Sequence, residues 1–478
     1  MTGHLERLRG AAPIEAARRA LASVDGEAYV VGGTVRDALL ERPLQDVDLV
    51  VGGPVEGAAR AVARALGGPV FSLSEAFGAW RVLDRERRFT FDLSPMQGEG
   101  ICADLARRDF TVNAMAVPLT GGELLDPHGG RADADAGVLR VLGESAYRED
   151  PLRALRLARL SAELGLEPDG ETERLTRLAA ASVVQASPER IFNELRRLVV
   201  APGVLEGLAL ADRTGLIAAV LPELDALHGL EQSHFHHLDV HGHTLEVLRQ
   251  VLALEADPAA VFGHLGEPIA AVLHEPLADE LTRGQALRLA ALVHDIGKPA
   301  TRATRADGRV TFIGHDAAGE EIIGAICRRL RTSARLEEYL RALTRHHLVL
   351  GFLVRERPLS RALVYRYLTV CQPVEVEVTV LSCADRLATR GRGAERAIAA
   401  HVELGRELMA EALEWRAGGP PKPAVDGRVL SREAGIPPGP ELGAVLEKLA
   451  EARFTGEAAT REEALDLARR LRGRGRGE

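Results

Sequence analysis

Cysteine is scarce and scattered. Only Cys102, Cys327, Cys371 and Cys383 occur in 478 residues, with no CxxC pair. That argues against a disulfide framework or a zinc knuckle and fits a reducing, cytoplasmic compartment. No apolar run is long enough to span a membrane, and the N-terminus does not read as a signal peptide. No membrane partner is therefore expected. Excess positive charge is missing too, since the formal net charge is -9. The chain as a whole does not announce a nucleic-acid binder, although whole-chain charge can hide a basic groove. Internal repeats are absent. What is present is an ordinary globular composition, 46% hydrophobic and 27% charged, in a chain long enough for more than one domain.

The most informative stretch runs from Tyr29 to Val51, YVVGGTVRDALLERPLQDVDLVV. It reads as strand, glycine turn, short helix and strand. Thr34 is expected to cap the helix, and Pro43 to stop it. Asp46 and Asp48 are two apart on the second strand, so their carboxylates share a face while Val47 and Leu49 point into a core. Two adjacent carboxylates repel unless a cation lies between them. Mg2+, which seeks oxygen ligands and often carries nucleotide phosphates, suits them. The Gly32-Gly33 turn is expected to leave backbone N–H groups bare for those phosphates.

Before this stretch, an amphipathic helix with Ile14, Ala17, Ala20 and Leu21 on one side is expected. After it come a helix over 55–66 and strands over 70–73, 80–83 and 88–93. In the last strand Phe89 and Phe91 face one way, Thr90 and Asp92 the other. Asp92 is thus a candidate third carboxylate, with a solvent-facing residue as the plainer reading.

Two longer strings follow. DLARRDFTVNAMAV, 104–117, places Arg107 and Arg108 beside Asp109 and Asn113. Arginine suits phosphate because its planar fork makes paired, charge-assisted hydrogen bonds. In REDPLRALRLARL, 148–160, Asp150, Arg153 and Arg156 are three apart and are expected on one helical face. Asp150 before Pro151 is also a good helix cap. The string resembles the ED..R motif of the class II CCA-adding enzymes, whose carboxylate and guanidinium match the donor and acceptor edges of cytosine and adenine, while guanine and uracil mismatch them and leave polar groups unpaired.

These strings resemble known motifs. GG..RD..L followed by DxD resembles the nucleotidyltransferase superfamily signature. RRDFTxNA closely matches the class II CCA-adding enzymes and bacterial poly(A) polymerases. DPHGGRAD, 126–133, resembles that family's next motif and reads as a structural turn. ERIFNELRRLV, 189–199, resembles its last, with Arg190 and Glu194 expected to pair and brace a neck helix. The resemblance implies catalytic carboxylates at Asp46, Asp48 and Asp92. It implies nucleotide contacts at Gly32, Gly33, Arg36, Arg107, Arg108, Asp109, Asn113, Asp150, Arg153 and Arg156. In the family, the Asp and Arg of ED..R template the base.

From about Leu230 histidines accumulate. The ordered set His243, His294-Asp295 and Asp385 resembles the HD superfamily of metal-dependent phosphohydrolases, and His315 with His346 or His347 extends it to a two-metal form. Asp295 would bridge the metals. Imidazole with carboxylate suits Mn, Fe, Co, Ni or Zn better than Mg alone. Single histidines such as His228 and His401 read as surface residues, while His234, His236 and His237 are ambiguous. Residues 416–423, rich in Gly and Pro, read as a linker. The arginines at 469–476 read as a solvated terminus.

The expected architecture is an α/β head with a polymerase-beta-like nucleotidyltransferase fold, a mixed sheet with helices, followed by all-α neck, HD and tail domains. The boundaries are 1–140 for the head, 141–228 for the neck, 229–415 for the HD domain and 416–478 for linker and tRNA-facing tail. The implied activity is transfer of CMP and AMP from CTP and ATP to the tRNA 3′ end, with Mg2+ in the head and one or two divalent metals (Mn, Ni, Co, Fe or Mg) in the HD domain. Addition of CC only, poly(A) synthesis, and an HD phosphohydrolase with a vestigial head are the alternatives. The connector from Leu93 to Arg107 is short and lacks the Arg and Tyr residues usual in full CCA enzymes, which favours the CC-only alternative.

Overall fold

The computed structural model describes residues 3–74, 78–232, 238–390 and 394–474. The chain forms two compact units, 1–220 and 221–478. No helix among the described residues is long and apolar enough to cross a membrane.

The first unit is built on a six-stranded sheet. Its strands are β1 (Ala28–Val31), β2 (Asp46–Val51), β3 (Val70–Ser74), β4 (Ala79–Leu83), β5 (Thr90–Pro95) and β6 (Ala116–Pro118), in the order β3-β4-β5-β2-β1-β6. β2 and β5 pair in parallel, with Asp48 opposite Asp92. The other neighbours are antiparallel. Alternation on β2 buries Val47 and Leu49 completely. Phe91 and Leu93 on β5 are buried with them, each worth about 1.5–3 kcal/mol relative to exposure. Against this face lies the helix Val55–Leu66, whose Val55, Ala58, Ala59 and Val62 point inward. It ends where Gly67 turns left-handed at φ +64°. The expected N-terminal helix is two, Gly3–Gly10 and Ala12–Leu21, the second burying Ile14, Ala17 and Leu21.

Helices complete this unit. Asp126 accepts hydrogen bonds from the N–H groups of Gly130 and Arg131, fixing the turn into the helix Gly130–Asp135. Helices Leu152–Leu164, Pro188–Val200 and Val204–Arg213 follow.

The second unit is helical around Glu375–Ala388, buried on nearly every side, with the buried Glu377 paired to Arg283. Val240–Ala256 and Arg283–Val293 pack on it. The latter starts with a reciprocal capping box between Thr282 and Gln285. The tail helices Gly427–Glu433, Pro440–Thr455 and Arg461–Arg474 share a core that includes Leu430, Ile436, Leu449 and Ala468. Phe454 contacts Tyr365 and Trp415, and Arg361 stacks 4.1 Å over its ring.

The expected linker begins too early. Helix Ala394–Gly418 runs through Arg416, because Trp415 is buried and Arg416 pairs with Glu275. The terminal arginines are helical as far as Arg474, and Arg472 donates to the Ala434 carbonyl.

Candidate functional sites: a carboxylate cluster with an arginine-lined cavity, and a histidine cluster

The glycine turn and the DxD strand meet as expected, by a different device. Thr34 does not cap the helix Gly33–Leu39, whose cap position is Gly32. The Thr34 hydroxyl instead donates to the Asp46 carbonyl and accepts the Asp48 N–H at 2.7 Å, clamping helix to strand. Gly32 sits at φ +62°, and a Cβ there would lie 2.6 Å from Arg108 Nη1. A Cβ on Gly33 would lie 3.2 Å from Asp48 Oδ2. The left-handed backbone at Gly32 favours glycine, and a turn without Cβ atoms leaves room for both charged side chains. The Gly32 N–H is not bare, however, since it donates to the Met115 carbonyl.

Asp46, Asp48 and Asp92 share one sheet face. Asp92 is not merely solvent-facing: it lies opposite Asp48 and accepts both Nε and Nη2 of Arg81 at 2.7 Å. Burial, then the Asp92 charge, pushes Asp48 up to about 6, against the pull of Arg108 and Arg36. An oxygen-only donor set under such mutual repulsion fits a hard divalent cation.

Behind this face runs a chain of alternating charge. Arg36 donates to Asn113 Oδ1 at 2.6 Å, and Asn113 Nδ2 donates to Asp109 at 2.9 Å. Asp109 accepts Arg156 at 2.9 Å, and Glu194 lies between Arg156 and Arg159. Burial alone would raise Asp109, but Arg156, Asn113 and the Phe110 N–H outweigh it and hold the carboxyl well below the usual range. Burial likewise opposes the Arg156 charge and is outweighed by Asp109 and Glu194. Asp109, Asn113, Arg36 and Arg156 thus spend their hydrogen bonds on one another. The expected Arg190–Glu194 pair does not form, because Glu194 turns to Arg156 and Arg159 while Arg190 reaches Asp150 at 2.7 Å.

A cavity of about 730 Å³ opens in this unit. Its lining includes Arg107, Arg108, Arg148, Arg153 and Arg190 against Asp104, Glu149 and Asp150. Arg108 is steered by Asp104 and donates to the Asn113 carbonyl. Arg107 is exposed, 3.7 Å from Glu149. Asp150 is extended between two helices, at φ -145°. It therefore does not share a helical face with Arg153 and Arg156. Its Oδ1 accepts the Leu152 N–H and its Oδ2 accepts Arg190, so the capping and the pocket-facing readings hold together. Arg153 donates to the carbonyls of Arg108 and Ala146. Its Nε is buried without a partner, and burial lowers its pKa. Arg190, Arg81 and Asp104 were not legible as site residues, since each acts across a contact that only the fold creates.

The second unit gathers the histidines. Asp295 Oδ2 lies 3.2 Å from His294 Nε2 and 3.9 Å from His243 Nε2, and Oδ1 lies 3.2 Å from His315 Nε2 and 3.9 Å from His347 Nε2. Asp385 accepts His243 Nε2 at 2.9 Å. Two groups of these residues could hold a metal ion, His243-His294-Asp295 and Asp295-His315-His347, sharing Asp295, while Asp385, expected as a ligand, stands in neither. The structure brings His347, not His346, to Asp295, and His346 stands in neither set. His294, His315 and His347 place Nδ1 against the carbonyls of Ala291, Phe312 and Thr344. A carbonyl only accepts, so each Nδ1 carries a proton, and each Nε2, once its own proton is displaced, could offer its lone pair to a metal. His294 Nε2 is buried without a hydrogen-bond partner. This donor set fits divalent transition metals.

Burial would raise Asp295, but Lys298 and His294 hold it well below the usual range. Lys298 Nζ lies 2.5 Å from Asp295 and donates to Gln232. It is the lysine of HDIGK, to which the sequence assigned no role. Burial, then His294, lowers His347 to about 4. His401 is not a surface residue. It is buried, 3.2 Å from the Ser382 hydroxyl, and burial lowers it to about 4. Its spacing to Leu404 and Leu408 on one helical face was the signal. His228 is exposed, as expected. His234, His236 and His237 lie outside the described residues.

Comparison with known proteins follows the same division. The Poly A polymerase head domain matches residues 28–140, the Probable RNA and SrmB- binding site of polymerase A residues 165–227, and the HD domain residues 240–390. An A-adding tRNA nucleotidyltransferase of Deinococcus radiodurans is 36% identical over 93% of this chain and 95% of that protein. A CC-adding tRNA nucleotidyltransferase of Thermus thermophilus is 35% identical over 92% of each. Among solved structures, a CCA-adding enzyme with CTP aligns at TM-score 0.63 and 21% identity over 97% of this chain and 96% of that one. The Thermotoga maritima CCA-adding enzyme complexed with tRNA aligns at 0.59 and 22% over 95% and 93%.

Proposed function

The chain belongs to the family of tRNA nucleotidyltransferases, and from that premise we propose that its head transfers CMP and AMP from CTP and ATP to the 3′ end of tRNA, releasing pyrophosphate, in the cytoplasm. The observation that carries this reading is the arginine-lined cavity holding Asp150 and Arg153, in the same unit as the carboxylates Asp46, Asp48 and Asp92.

Asp46 and Asp48, with Asp92 beside them, are the groups to hold Mg2+. Bound there, the ion would favour ionisation of the attacking 3′-hydroxyl and neutralise the triphosphate. Arg107 and Arg108 supply planar donors to the phosphates. Gly32 and Gly33 let Arg108 and Asp48 crowd the turn. Asn113, Asp109, Arg36 and Arg156 brace that arrangement from behind. Asp150 accepts the amino group of cytosine or adenine, and Arg153 donates to the neighbouring ring nitrogen. Guanine and uracil would set a carbonyl against the carboxylate and strand a buried charge, which is a strong basis for rejection. In the second unit, the ligand sets on Asp295 support metal-dependent phosphoester hydrolysis, with Mn, Ni, Co, Fe or Mg as the candidate ions.

One observation favours a narrower reading, addition of CC only. Five residues, 96–100, join β5 to the helix Ile101–Leu105. So short a connection has little slack to reshape the pocket from C to A. The test supplies CTP and ATP together to tRNA lacking all three terminal residues and sequences the product ends. CCA ends support the full reading and CC ends the narrow one. Unextended ends reject both.

A further inference from the structure

The cavity beside the histidine cluster extends past the metal-ligand residues. Its volume is about 440 Å³, room for a nucleotide rather than a bare phosphate. Its lining includes Lys298, Arg355, Arg386 and His401 along with Asp295 and Asp385. Lys298 is committed to Asp295 and Gln232. Arg355, which is exposed, and Arg386, which is half-buried, have no side-chain ion pair or hydrogen bond among the described residues. Arg386 Nε is fully withdrawn from solvent without an acceptor. A guanidinium N–H that has lost water and found no acceptor is costly, unless a ligand supplies one. This arginine belongs to the string CADR at 383–386, where only the aspartate had been given a role.

A single phosphate would be satisfied by metals held on the Asp295 sets. Two guanidinium groups facing the same cavity exceed that need. We propose that the cavity takes a sugar carrying two phosphates, one at the histidine–aspartate cluster and the second on Arg386 and Arg355. A free nucleoside bisphosphate and the phosphorylated end of an RNA strand both have this chemistry. The proposal rests on the phosphohydrolase reading for turnover, and binding tests it separately. In turnover, a water oxygen bonds to phosphorus, the ester P–O bond breaks, and the sugar oxygen leaves as the hydroxyl with a proton from that water.

The full chain, loaded with Ca2+ in place of the transition metal so that ligand binds without turnover, is titrated calorimetrically with adenosine 3′-monophosphate, adenosine 3′,5′-bisphosphate and the dinucleotide ApAp bearing a 3′-phosphate. Each variant is compared with wild type, so binding at the unaltered head cancels. Wild type should prefer the ligands with two phosphates by about tenfold or more, the scale of a charged hydrogen bond. Preference for the bisphosphate marks the free nucleotide as the source, and preference for the dinucleotide marks an RNA end. In Arg386→Met that preference should collapse. Arg355→Met, at an exposed position that tolerates substitution, should reduce it in part, and melting curves check that both variants fold. No preference in wild type, or a preference kept in both variants, overturns the proposal. Hydrolysis is then assayed with Mn2+ restored. A bisphosphate preference in binding without phosphate release supports the subsite and rejects the phosphohydrolase reading.

Discussion

Arg190 reaches back 40 residues to place its guanidinium 2.7 Å from the Asp150 carboxylate. The pair joins the family's last motif to the carboxylate proposed to read the base. Asp150 lies in an extended segment with no helix of its own to orient it, so Arg190 and the Leu152 N–H set its direction. Replacing Arg190 with Met should leave a misdirected carboxylate. Discrimination of CTP over UTP should fall about tenfold, on the scale of a lost charged hydrogen bond, with a smaller effect on triphosphate affinity. Competition kinetics with the two nucleotides measures this, and an unchanged ratio would assign Arg190 to bracing alone.

Arg153 is the second half of the proposed base reader. Arg153→Ala should relax base choice by about 1–3 kcal/mol, by analogy with bidentate base readout. Rejection of UTP and GTP unchanged in an otherwise active variant would place the base reader elsewhere.

The raised Asp48 pKa gives a signed pH dependence. Its folded pKa of about 6 lies above the ordinary value of 3.8, so the metal-free folded state holds a proton up to about pH 6. The cost of the charged form is present above that pH and is relieved as pH falls. A cation must displace this proton. The apparent Mg2+ affinity of the head should therefore be flat above about pH 6 and fall about tenfold per pH unit below it. Asp92→Asn removes the repelling neighbour and should move the break to lower pH. Mg2+ titrations of nucleotide addition at several pH values read this directly.

Glu194 is buried between Arg156 and Arg159. Truncation to Ala would leave two arginines without their shared carboxylate, a change that costs about 3–5 kcal/mol when a buried pair is broken. Denaturant unfolding of the first unit should show the loss, whereas a shift below about 1 kcal/mol would mean that water takes over the role of Glu194.

Much of this was legible in the sequence because it is local. The alternation that puts Asp46 and Asp48 on one face, and the glycine turn before them, needs no partner from elsewhere in the chain. The two ligand sets on Asp295 were readable as an ordered list. What escaped depends on contacts between distant segments. Arg190 gained its place from a helix that brings it to the Asp150 turn, whereas Asp92 was already expected beside the DxD pair, and parallel pairing with β2 sets it opposite Asp48. His346 and His347 are adjacent, and only the packing of the fold brings the His347 ring beside Asp295 and His315. Thr34 looked like a cap because hydroxyls commonly are, but the neighbouring strand offered it both a donor and an acceptor.

The two sites should also separate by mutation. Asp46→Ala or Asp48→Ala should abolish nucleotide addition and spare hydrolysis of a model phosphodiester. His294→Ala combined with Asp295→Ala should remove bound transition metal and hydrolysis while addition persists. Equal metal content in wild type and the double variant would refute the metal centre.

The most direct measurement concerns the head. Three tRNA forms, ending before the first C, after one C and after two, are each incubated with one labelled nucleoside triphosphate at a time and Mg2+. The account predicts extension of at least one form by CTP or ATP, negligible extension by GTP or UTP, and complete loss in Asp48→Ala. No extension of any form, or equal use of all four nucleotides, would contradict it.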